Sequence, residues 1–130
     1  MEFPTDLKYT KNDEWIRVEG KQGTAGISDY AQDQLSDIVF VEVTAGVGET
    51  VAKGSGGATV ESVKAAAEVY MPVTGKITAV NTSLPESPEL VNKDPYGQAW
   101  LVRFEILNPK ELDELMDSKA YAAYCQERSH

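Results

Sequence analysis

Lys64 is the side chain with the clearest opportunity for chemistry. It sits in Glu61-Ser62-Val63-Lys64-Ala65-Ala66-Ala67-Glu68-Val69, between two runs that read as short strands, Ala58 to Ser62 and Ala67 to Met71. The turn between them holds Val63 and Lys64, and a turn tip is the most exposed point of a hairpin. Small alanines leave the ε-amine open to an attaching enzyme and leave a long attached group free to swing. Amide formation there also removes the charge, so a modified lysine needs no counter-ion. The plain alternative is a surface lysine on an ordinary hairpin.

Other chemistries find little support. His130 is the only histidine and the last residue, so no internal Ser-His or Cys-His relay can form. Cys125 is the only cysteine, which excludes an intramolecular disulfide and a cysteine-rich metal site. Gly54-Ser55-Gly56-Gly57 lacks the Gly-Lys-Ser/Thr of a phosphate loop and reads as a turn. No catalytic residue and no metal ligand set is expected.

The elements that must position Lys64 are mostly strands. Trp15 to Ile27 reads as a hairpin turning at Glu19 to Gly23, and Ser28-Asp29 offers an N-cap for a short helix over Tyr30 to Leu35. Ile38 to Val43 reads as a buried strand, Lys76 to Val80 as another, and Ala99 to Ile106 as the last. Asn81 to Tyr96 is loop-rich, with Pro85, Pro88 and Pro95 confining any helix to about a turn near Glu89 to Val91. From Pro109 the period becomes helical. Leu112, Leu115, Met116, Ala120, Tyr121, Ala123 and Tyr124 share an apolar face, predicting a C-terminal helix over about 109–127. Short strands divided by Gly and Pro turns predict a mainly β fold. Its form is a small sandwich or flattened barrel with short helices, in one domain spanning 1–130.

The chain has 130 residues, 42% apolar and 25% charged, with a formal net charge of −9. That acidity and the lack of a basic run argue against nucleic acid. They suit a shuttle that docks transiently on larger partners. No apolar run reaches membrane-spanning length, and Met1-Glu2-Phe3-Pro4-Thr5-Asp6 resembles neither a signal nor a transit peptide. The expectation is a cytoplasmic monomer, or a mitochondrial matrix protein if a presequence was removed. The acidic run Glu111, Asp113, Glu114 and Asp117 reads as a solvated helix face, Trp15 and Trp100 as core, and Cys125 as an idle or buried thiol.

The stretch Val60-Glu61-Ser62-Val63-Lys64-Ala65, followed by Pro72-Val73-Thr74-Gly75, resembles the lipoylation site of glycine cleavage H proteins. The likeness continues through Tyr9 to Trp15, Gly26 to Gln32, Asp37 to Glu42, Pro88 to Gly97 and Trp100-Leu101, nearly the whole chain. Biotinyl carriers share the hairpin logic but flank their lysine with methionines, where this chain has Val63 and Ala65. General lipoyl domains share the hairpin but usually lack the N-terminal segment and the C-terminal helix.

The resemblance implies a barrel-sandwich hybrid with lipoate joined by an amide to Lys64, and Glu61 and Gly75 as recognition residues for a lipoate ligase or a lipoyl/octanoyl transferase. It reads Gly75 as marking a turn beside the hairpin, where a side chain would obstruct approach. It implies a non-catalytic carrier in glycine breakdown. The carrier moves an aminomethyl group from a pyridoxal-phosphate glycine decarboxylase to a tetrahydrofolate-dependent aminomethyltransferase, and a flavin dihydrolipoamide dehydrogenase then reoxidises it. It places the arm in a cleft formed by Glu14, Asn12, Gln34 and Glu68, with Glu14 holding the amine. Three departures stand out: Asp13 and Gln34 where histidine is usual, and Gly56-Gly57 where a large apolar residue is common. The glycines are expected to weaken their strand. Competing readings are a carrier relaying lipoyl groups to other enzymes, a biotin carrier, and an interaction module with Lys64 unmodified.

Overall fold

The structure, a computed structural model, describes residues 1–128; His130 lies outside the described residues. Two antiparallel sheets face each other without closing into a barrel. The chain runs β1 (Lys8–Tyr9), β2 (Glu14–Glu19), β3 (Gln22–Ile27), α1 (Asp29–Leu35), β4 (Ile38–Val43), β5 (Thr50–Val51), β6 (Gly56–Ser62), β7 (Ala66–Tyr70), β8 (Gly75–Val80), α2 (Leu90–Lys93) and β9 (Val102–Ile106). A 3₁₀ turn (Pro109–Glu114) and α3 (Ser118–Arg128) follow. The larger sheet has the order β1-β2-β3-β9-β8-β5, and the smaller one β4-β6-β7.

Period-2 alternation explains how the sheets meet. Ile16, Ala25, Ile77, Val102, Phe104 and Ile106 project from the large sheet into a shared core with Met71 and Val73. A second cluster, including Ile38, Val41, Val60, Leu84 and Leu101, fills the other end. On the outer face of the large sheet, Trp15 is fully buried with Tyr9, Tyr96, Tyr121 and Cys125. The hairpin and α1 form where the residues predict them. Ser28 caps α1, its Oγ accepting from the Ala31 amide at 3.1 Å.

Four expectations change. The C-terminal helix is not continuous over 109–127: a 3₁₀ turn ends at Glu114, Met116 exchanges backbone hydrogen bonds with Tyr9, and the α-helix starts only at Ser118. Pairing with the edge strand β1 breaks the helix, and Ala120 and Ala123 end up exposed. The acidic run is not simply solvated. Glu111 accepts from the Thr74 amide and hydroxyl, Glu114 pairs with Lys53, and Asp117 accepts from the Ala120 amide at the start of α3. Gly56 and Gly57 lie within β6 rather than before it, with a register shift between Gly56 and Ala58 that leaves Gly57 as the extra residue of a bulge. Finally, β4 is buried on one side only, with Val39 and Phe40 exposed.

Candidate functional site

The β6–β7 turn is built almost entirely from its own residues. The Ser62 hydroxyl accepts from the amides of Lys64 (3.1 Å) and Ala65 (2.9 Å), and the Ser62 amide donates to the Ala65 carbonyl at 2.7 Å. The Val63 amide donates to the Asp37 carbonyl at 3.0 Å, tying the tip to the chain entering β4. Serine two residues before the lysine therefore fixes the turn with a side-chain hydrogen bond, as short hydroxyl side chains do. Lys64 is exposed at the tip, and its Nζ donates to the Gln34 carbonyl at 3.4 Å, at the last turn of α1.

That contact puts the amine at the rim of a cleft of about 180 Å³. Asn12, Glu14, Gln34 and Glu68 all line it, so the structure brings together the four residues that the resemblance assigned to the arm. Its remaining walls are mostly apolar, with Ile27, Ala31, Leu35, Val60 and Val69 among them. Sequence reasoning missed these walls. They come from α1, β3, β6 and β7, and no local pattern marks them as one surface. The cleft suits a thin aliphatic chain that ends in a polar group.

Glu14 is the buried end. It is 2% exposed, at the first inward-facing position of β2. The Thr10 hydroxyl donates to one carboxylate oxygen at 2.6 Å, and the Tyr70 amide donates to the other at 3.3 Å. Burial pushes its carboxyl up to about 7 from an ordinary 4.5; the Thr10 and Tyr70 hydrogen bonds oppose the rise and the charge of Asp13 adds to it. This burial excludes a solvated strand-edge carboxylate. Glu14 also borders a second cleft of about 250 Å³ on its far side, where Lys53 and Glu114 pair.

Asp13 and Gly56 acquire specific roles. Asp13 adopts a left-handed backbone (φ 70°), pairs with Arg128 and accepts from the Tyr121 hydroxyl at 2.8 Å. Tyr121 also hydrogen-bonds Ser28 Oγ at 2.6 Å, so α3 pins the segment before β2 to the cap of α1. Both segments line the cleft. Arg128 lies over the rings of Tyr30 and Tyr124 as well. Gly56 leaves room for Glu68: a Cβ there would stand 2.0 Å from its Oε1.

Glu61 is exposed on β6 one pair from the tip, opposite Ala66. Gly75 is elsewhere. β7 carries the chain away from the tip over five residues, roughly 17 Å at strand rise, before Gly75 opens β8 in the other sheet. Gly75 is buried, and a Cβ on it would meet the Phe104 ring at 2.5 Å. The expectation that it marks a turn beside the lysine hairpin is thus corrected: a side chain there collides with the core.

Comparison with known proteins gives a consistent result. A family model described as "Glycine cleavage H-protein" matches residues 7–128. The chain is 51% identical over 124 residues to the glycine cleavage system H protein of Symbiobacterium thermophilum, covering 95% of this chain and 96% of that one. It is 48% identical over 127 residues to that of Halothermothrix orenii, covering 98% of each. A crystal structure of a glycine cleavage system H protein from Mycobacterium marinum superposes with a TM-score of 0.83 at 34% identity, covering 92% of this chain and 96% of that one.

Proposed function

The chain belongs to the glycine cleavage H-protein family, the lipoyl carriers of that system, and from that premise we propose that Lys64 carries the lipoyl group as an amide on Nζ. The observation that supports this most is the placement of one exposed lysine at the rim of a cleft whose far end is a buried carboxylate. When bound, the lipoyl group supplies the sulfur chemistry that accepts an aminomethyl group, releases it, and is reoxidised between rounds.

The chain's own residues hold and shield. The cleft walls exclude water from an aliphatic arm, and Glu14 waits at their end. With its carboxyl near neutrality, Glu14 gives up its proton readily when a cationic amine approaches, because an opposite charge favours the carboxylate. The charge-assisted hydrogen bond so formed retains the amine. Asn12, Gln34 and Glu68 offer further polar contacts along the path.

In this reading the protein is a carrier rather than a catalyst. Its partners are the pyridoxal-phosphate glycine decarboxylase, the tetrahydrofolate-dependent aminomethyltransferase, the flavin dihydrolipoamide dehydrogenase and a lipoate-attaching enzyme. The bacterial relatives support a cytoplasmic setting; no helix among the described residues is long and apolar enough to cross a membrane. Glu61 serves the attaching enzyme from beside the tip, and Gly75 serves it by keeping β8 against Phe104.

The test is the intact mass after incubation with lipoate, ATP and a purified lipoate ligase, beside Lys64→Arg. One lipoyl increment on the parent and none on the variant is the expected result. No increment on a folded parent, or an increment on the variant, overturns the assignment.

A further inference from the structure

β4 has the sequence of a strand buried on both faces, Ile38-Val39-Phe40-Val41-Glu42-Val43, yet two neighbouring apolar residues in it face solvent. Val39 is 53% exposed and Phe40 41%. The cause is a bulge. Ile38 pairs with Ser62 and Phe40 with Glu61, so β4 takes two steps where β6 takes one, and Val39 is the extra residue. Bulges on edge strands re-aim side chains, and β4 is an edge of the three-stranded sheet. The inward alternation resumes at Val41, which is buried.

These residues adjoin the lysine tip. Phe40 is opposite Glu61 on β6, and the Val63 amide bonds the Asp37 carbonyl just before β4. Val63, beside Lys64, is 68% exposed. Three large apolar side chains therefore stand open beside the lysine turn. An uncovered apolar edge is an aggregation liability unless a partner uses it. The charge around it is predominantly negative. The segments that carry the patch, 29–43 and 56–65, contribute Asp29, Asp33, Asp37, Glu42 and Glu61, with Lys64 as their only cation. Of the adjoining elements, β7 adds Glu68, and α2, which meets the start of β4 through Asn92, adds Lys93.

We propose that Val39, Phe40 and Val63, with the acids around them, form the docking surface for the enzyme that acylates Lys64, a partner presenting apolar side chains edged by lysines or arginines. This rests on the reading of Lys64 as the attachment site. Reach singles out that partner. An enzyme that forms a bond to Nζ must bring its reacting carbonyl within one lysine side chain of the turn, and so must lie against the residues beside it. An enzyme that acts at the far end of an attached arm forms no bond at Nζ, and the distance from Nζ to its chemistry is set by the arm. The acidic rim favours a basic partner and steers its approach.

The experiment compares lipoylation kinetics of the whole unmodified chain with Phe40→Ser, Val39→Ser and, as control, Val47→Ser, using lipoate, ATP and purified lipoate ligase. Val47 is 65% exposed in the loop after the opposite end of β4. Thermal melts confirm that each variant folds, and Val39→Ser, the milder change, stands in if Phe40→Ser does not. The expected result is a KM for the protein raised about ten-fold in the tip variants, as for loss of one well-packed interface anchor. kcat should stay near the parent's, the control should match the parent, and the parent's KM should rise with added salt. Parent-like KM in folded tip variants overturns the proposal, as does an equal loss in the control. If the parent is a dimer that Phe40→Ser dissolves without changing lipoylation, the patch belongs to a second copy and the proposal fails. A parent that takes no lipoyl group fails the reading of Lys64 itself, a separate outcome.

Discussion

Lys64 touches Gln34 on the cleft wall and Glu14 is buried in the same cleft, and the two are held in opposite ways. The lysine tip depends on hydrogen bonds among Ser62, Lys64 and Ala65, with one tie to Asp37. Glu14 depends on Thr10 nearby and on Tyr70, 56 residues away. The segment leading into Glu14 depends in turn on Tyr121 and Arg128 of α3. One end is local and exposed, the other remote in sequence and buried. The proposed arm needs both: an attachment point that large enzymes can reach, and a cleft whose water it can displace.

That contrast can be broken one piece at a time. The largest effect is at the tip. Lys64→Arg should abolish lipoylation completely while leaving the unfolding midpoint unchanged, because the exposed side chain packs against nothing in the core; calorimetry of the unmodified variant checks the second half.

At the buried end the prediction concerns pH. A carboxyl whose folded pKa lies above its unfolded value contributes stability that is full below the unfolded value and lost as pH rises through the folded one. For Glu14 that window runs from about 4.5 to about 7. The parent should lose roughly 3 kcal/mol across it relative to Glu14→Gln, which keeps the shape without the charge. Urea unfolding at several pH values measures the difference, and parallel curves for the two proteins would show that Glu14 ionises without penalty.

Gly75→Ala sharpens the comparison between fold and recognition. Crowding Phe104 should cost about 2 kcal/mol of stability. Lipoylation of the fraction that remains folded should proceed at the parent's rate; a specific loss of lipoylation at full stability would return Gly75 to the enzyme-facing surface. The smallest effect is expected from Tyr121→Phe, which keeps the ring stacked on Tyr9 but removes the hydroxyl from Ser28 and Asp13. About 1–2 kcal/mol should be lost, and hydrogen exchange should quicken in α1 and at residues 10–14 before it does in β6 and β7.

The same contrast explains what the residues reveal in order. The lysine turn, the cap of α1 and the first hairpin are readable because each is made within a few positions: Ser62 beside Lys64, Ser28 before Tyr30, Gly20 between β2 and β3. The misread pieces depend on neighbours far along the chain. β4 looks buried until its bulge and edge position are known. The C-terminal period looks like one helix until Met116 pairs with Tyr9. Gly56 and Gly57 look like a weak spot until Glu68 is found filling the space beside Gly56. The four polar cleft residues were named from family likeness alone; Thr10, which holds Glu14, and Tyr121 and Arg128, which hold the neighbouring Asp13, carry no signal for those roles that spacing could expose.

The central claim is that the exposed lysine and the buried carboxylate are two ends of one site. The most direct test follows the Glu14 side-chain carboxyl by NMR through a pH titration, in the unmodified protein, the lipoylated protein, and the lipoylated protein loaded with the aminomethyl group. The account predicts a midpoint near 7 in the first and a clear fall once the cationic amine is loaded. A midpoint that stays the same in all three would mean that the end of the arm never reaches Glu14.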